Sequence, residues 1–101
     1  MSVTSKALVR GAATTNTATV LYTTPAATTT VISNIGVTNT AGSAGTFTLA
    51  LAGTAIHTTT AIAANTTIYI DCKQVLAATN TITGGASATS INFHISGVEI
   101  V

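Results

Sequence analysis

Gly45-Thr46-Phe47-Thr48-Leu49-Ala50-Leu51-Ala52 alternates between two faces, with Phe47, Leu49 and Leu51 on one and Thr46, Thr48 and Ala50 on the other. A period of two is the mark of a strand with one side buried and one side wet. The same alternation closes the chain, where Ile91, Phe93 and Ile95 oppose Asn92, His94 and Ser96. It recurs over residues 66–73, where Ile68, Ile70 and Cys72 oppose Thr67, Tyr69, Asp71 and Lys73. Residues 28–40 read as a long strand with Val31, Ser33, Ile35 and Val37 on one face. These four span 28–40, 45–52, 66–73 and 90–101, and further strands are expected over 3–10, 18–24, 55–62 and about 80–83. Beyond Gly97 the phase slips to Val98 and Ile100, which a bulge at the glycine would explain.

Helix signals are nearly missing. Glu, Lys, Gln and Arg, the usual polar helix formers, scarcely occur, and about a quarter of the chain is β-branched Thr. The breaks between strands carry turn chemistry. Pro25-Ala26-Ala27 cannot lie in a central ladder. Residues 40–45 form a loop of small residues, Ala63-Ala64-Asn65 reads as a turn, and so does Gly84-Gly85. About eight short strands with regular turn signals predict an all-β fold, a single antiparallel β-sandwich or jelly roll. Residues 1–101 read as one domain, with residues 1–10 a first strand or an N-terminal arm. No fixed-period repeat points to a solenoid.

Composition narrows the function. Hydrophobic residues make up 47% of the 101 and charged residues only 5%, for a net charge of +1. Such a chain is too hydrophobic to be disordered. Three basic residues are too few for the phosphate contacts that nucleic-acid binding needs, so no nucleic acid is expected as partner. No apolar run reaches the ~18 residues of a membrane helix, and residues 1–10 lack the apolar core of a signal peptide, so no membrane is expected either. Low charge favours association, which suggests that much of the surface is covered in an assembly.

The inventory for chemistry is thin. Asp71 and Glu99 are the only carboxylates, His57 and His94 the only imidazoles, and Cys72 the only thiol. No nucleophile elbow, phosphate-binding glycine loop or metal-ligand spacing is present. The chain is therefore expected to be no enzyme, with no catalytic, cofactor or metal residues. Cys72 reads as a small buried hydrophobe, His94 as a polar surface residue, and Asp71 with Lys73 as a surface ion pair of little worth. Asn65-Thr66-Thr67 matches a glycosylation sequon without a secretory signal beside it. Ranked threonines are also used to bind ice, but a flat repeating array is lacking. Glycan binding would have to use Tyr22 or Tyr69, since Trp is absent and Phe47 and Phe93 belong to the core pattern. Candidate oligomer or partner contacts are Val3 and Arg10 at the start and His57, Thr58 and Thr60 in the threonine-rich strand.

Five segments together resemble a known family. Leu21-Tyr22-Thr23-Thr24-Pro25-Ala26 opens the likeness, and Val31-Ile32-Ser33-Asn34-Ile35-Gly36-Val37-Thr38-Asn39-Thr40 continues it. Gly42-Ser43-Ala44-Gly45-Thr46-Phe47-Thr48-Leu49, Ala61-Ile62-Ala63-Ala64-Asn65-Thr66 and Ile95-Ser96-Gly97-Val98-Glu99-Ile100 follow in order. The pattern is similar to that of small β-sandwich virion structural proteins of tailed bacteriophages. The likeness covers roughly four fifths of the chain, and it departs between Leu51 and Ala61, where this sequence lacks the charged and aromatic residues often found there. The resemblance implies a non-enzymatic jelly-roll subunit, often trimeric, made in a bacterial cytoplasm and carried in the virion. Its expected role is head decoration or cement, bound to the major capsid protein. A tail, baseplate or fibre component is the second expectation, and a carbohydrate-binding module the third.

Overall fold

The computed structural model describes residues 2–70 and 73–101. Nine strands run β1 (Val3–Ala12), β2 (Val20–Thr23), β3 (Thr29–Asn39), β4 (Gly45–Leu51), β5 (Thr54–Ile62), β6 (Thr66–Ile70), β7 (Gln74–Leu76), β8 (Thr81–Ala86) and β9 (Ile91–Ile100), and no helix occurs among the described residues. One sheet has the order β1-β9-β3-β6, with β7 also on β3, and the other has the order β2-β8-β4-β5. Every pairing is antiparallel. β6 takes β3 from Ile35 to Asn39 and β7 takes it from Thr30 to Ile32, so the two act as one interrupted edge strand. Counted that way there are eight strands, and the two sheet orders are those of a jelly roll.

The alternation seen in the sequence is what fills the space between the sheets. Ile35, Val37, Ile91, Phe93 and Ile95 from one sheet meet Phe47, Leu49, Ile62 and Ile82 from the other, all essentially without solvent exposure. Phe47 and Phe93 pack edge to face at 6.3 Å across the gap. Each such side chain contributes roughly 1.5–3 kcal/mol by leaving water. Asn39 is a buried polar residue at the edge of this layer. Its Nδ2 donates to the carbonyls of Ser43, Ile62 and Ala63, and its Oδ1 accepts from the Ala41 amide at 3.0 Å. One side chain thus ties the 40–45 loop to the end of β5.

Three expectations are corrected. In β3 the buried residues are Thr30 and Ile32, then Ile35 and Val37, while Val31 faces outward. Ser33 is an extra residue there, since Ile32 pairs with Gly97 and Asn34 with Ser96, and its hydroxyl donates to the Ser96 carbonyl at 3.1 Å. The bulge is thus not in β9. It lies in both neighbours of β9, at Ser33 in β3 and Leu8 in β1, while β9 keeps strict alternation through Gly97 to Glu99. Gly97 permits this because a Cβ there would run into the Val31 carbonyl and stand 3.1 Å from Leu8 Cδ1. The third correction is Gly84-Gly85, which lies buried inside β8 and not in a turn. A Cβ on Gly84 would strike Thr48 and Leu49, and one on Gly85 would strike the backbone of Thr14 and Asn16. Small residues are needed there for close backbone approach.

The remaining breaks are as read, at residues 24–28, 40–44 and 63–65, with Ala27 and Asn65 both left-handed. The structure adds a tight turn: Ala52 (φ 51°) and Gly53 (φ 80°) form a two-residue hairpin loop with the positive φ angles of a type I′ turn. Residues 3–10 fall within a full strand, β1, paired along β9. The chain's two ends meet there, with the Ser2 amide donating to Val101 O at 3.0 Å and the Val101 amide donating to Ser2 O at 2.8 Å.

Candidate interaction surfaces

β1 and β5 end their sheets on opposite flanks, because β1 lies over β2 and β5 over β6. The structure therefore separates the five candidate contact residues into two groups. Val3 is 58% exposed and Arg10 is exposed, both on the outer side of β1. Thr58 is exposed on β5, while His57 and Thr60 are half-buried. The His57 ring stands 5.3 Å from Phe47, and its Nδ1 is 3.3 Å from Thr60 Oγ1, so it caps the core at that edge. β5 breaks register twice against β4, and Thr59 sits there in a left-handed conformation (φ 48°) with its amide donating to Thr48 Oγ1. Bulges of this kind blunt an edge against further strand pairing. Asp71 and Cys72, and with them the Asp71–Lys73 pair and the buried thiol of the sequence reading, lie outside the described residues, whereas Lys73 is exposed.

One polar cluster bridges the sheets. Because β9 does not change phase, Glu99 points inward beside Thr30, with its side chain only 13% exposed. Tyr22 of β2 donates its phenol proton to the Glu99 carboxylate, and Thr30 Oγ1 lies 2.8 Å from the same phenol oxygen. Lys6 of β1 reaches Glu99 at 3.4 Å. The hydrogen bond from Tyr22, and after it Lys6, hold the Glu99 carboxyl below its ordinary pKa against the opposing effect of burial. Burial first, and then the bond to Glu99, push the Tyr22 phenol up. A lysine on an edge strand also discourages pairing with a stray strand. The cluster has one carboxylate, and the described residues hold no group of three or more His, Cys, Asp or Glu suited to a metal ion.

The sequence reading missed the outer face of the five-stranded sheet. Register places Val75, Val31 and Val98 side by side on β7, β3 and β9, and Ile100 and Val3 side by side in the next row. Val75 is 65% exposed, Val3 58%, and the terminal Val101 65%. Toward the other end of the face the chemistry changes to Asn34, Thr38, Tyr69, His94 and Arg10. No single-strand pattern exposes these rows, because the Ser33 and Leu8 bulges decide which residues align. A separate open cleft of about 250 Å³ lies at the opposite flank, lined by Leu51, Thr54, Ala55, Ile56 and Gln74. Comparison with known protein families and with characterised proteins returns no match.

Proposed function

We infer that the chain is a non-enzymatic structural subunit of a tailed-phage virion, working as a head decoration or cement protein. The observation that carries the reading is the apolar end of the outer face, where Val3, Val31, Val75, Val98 and Ile100 form adjoining rows on a chain with 5% charged residues. A row of valines beside the β1 edge favours a permanent partner, since apolar area left in water costs about 25 cal/mol per Å². The five resembling segments supply the virion context. In this reading the subunit is a homo-oligomer, a trimer by the resemblance, and it ties neighbouring major capsid subunits together through many modest interfaces.

Purified virions separated into heads and tails, with copies counted by quantitative mass spectrometry against the major capsid protein, test the placement. Hundreds of copies in heads, and a capsid that melts lower when stripped of the protein, are expected. A handful of copies in the tail fraction would make it a tail or fibre part, and absence from both would remove the virion reading.

A further inference from the structure

Four strands contribute one residue each to a straight row on the outer face: Tyr69 from β6, Gly36 from β3, His94 from β9 and Arg10 from β1. Tyr69 is the most exposed large apolar side chain among the described residues, at 74%. Its ring lies over Gly36. A Cβ on Gly36 would lie 3.2 Å from Tyr69 Cε1 and 3.4 Å from Cδ1, and 3.6 Å from His94 Cβ. The ring leans into the gap left by the glycine, between two neighbours, with most of its surface open to solvent. Gly36 is thus buried beneath the Tyr69 ring, with the Cβ of His94 on its other side. Asn34 flanks the row on one side, and Thr38 and Asn92 flank it on the other, all on the same face.

The geometry points to an acidic oligosaccharide as the ligand of this row. An exposed tyrosine, with only two side-chain torsions to fix, offers a flat amphipathic surface suited to the C–H face of a sugar ring. Amide, hydroxyl and imidazole groups beside it match sugar hydroxyls. Arg10, exposed at the far end, fits a carboxylate or sulfate in bidentate fashion. Three strand spacings of ~4.8 Å separate Tyr69 from Arg10, so the row spans about 14 Å and needs more than one sugar unit to fill it. Among the described residues this face carries no carboxylate, since Glu99 is turned inside. A single arginine is too little for nucleic acid, which rewards a series of phosphate contacts. The row lies toward the opposite end of the face from the valines, with Asn34, Ser96 and Ala7 between them.

The test is titration of the full chain, followed by NMR, with an oligogalacturonide, a heparin-derived tetrasaccharide and sialyllactose. Neutral counterparts and a thymidine oligonucleotide run alongside. At least one acidic sugar is expected to shift the resonances of Tyr69 and His94. Tyr69→Ala and Arg10→Gln should each weaken that binding about tenfold or more, a loss of ~1.4 kcal/mol or more, while Val20→Thr, at an exposed position of the other sheet, leaves it unchanged. Both substituted residues are exposed, and an otherwise unchanged amide spectrum shows that each variant is folded. No binding by any acidic sugar, binding that survives Tyr69→Ala, or preference for the neutral sugars or the oligonucleotide would each overturn the proposal. None of these outcomes depends on where the protein sits in a virion.

Discussion

Asn39 and Glu99 show how much one inward polar side chain can carry in a chain so short of charge. Asn39 satisfies three carbonyls and one amide at the mouth of the 40–45 loop. Removing it leaves the buried Ile62 carbonyl and three partly buried backbone groups without these bonds, so Asn39→Ala is expected to cost about 1–3 kcal/mol in denaturant unfolding. Glu99 acts through its protonation state. Its pKa is lower in the folded chain than the ordinary 4.5. Its contribution to stability is therefore present above that value and is lost as pH falls through the lowered folded pKa. Unfolding followed from pH 6 to pH 2 should show that loss in the native chain, and Glu99→Gln should flatten it. A native-like acid profile in the variant would mean that the Tyr22–Glu99–Lys6 cluster contributes nothing to stability. The inward position of Glu99 could not be read from the sequence, because the apolar Val98 and Ile100 on either side suggest the opposite phase.

Strands that keep their own alternation are legible. In β4 and in β9 as far as Ile95, side-chain period alone identifies the buried residues, since one face meets the other sheet and one meets water. Legibility failed where register depends on a neighbour. Gly97 in β9 is squeezed by two bulges in other strands, and its signature in the sequence looks like a bulge of its own. Gly84-Gly85 has turn composition but lies where Thr48, Asn16 and Thr14 leave no room for a side chain. The candidate contacts fared likewise: Val3 and Arg10 do lie on an exposed face, but the valines and the tyrosine that share it come from strands distant in sequence. The squeeze at Gly97 can be tested directly. Gly97→Ala must displace the Val31 backbone, and it is expected to destabilise by about 1–3 kcal/mol, as overpacking does, measured by thermal or chemical unfolding. An unchanged midpoint would show that the two bulges can relax together.

Across the whole molecule, surface character is divided by place. The β5 flank is blunted by bulges, one end of the outer face is apolar, and the other end is polar with a single exposed aromatic. If the apolar end is where copies or capsid meet, Val75→Lys should shift the chain toward monomer in sedimentation equilibrium without lowering its melting point. An unaltered association state would move the interface elsewhere. The meeting of the two chain ends beside β1 and β9 has a mechanical consequence. Ser2 and Val101 are bonded at the same extremity of two antiparallel neighbours. A force pulling the ends apart would peel β1 from β9 one rung at a time, where shear would have to break many bonds at once. Loaded through its termini the fold is a zip; gripped across its faces, as a clamp between neighbours would grip it, the same ladder shares the strain.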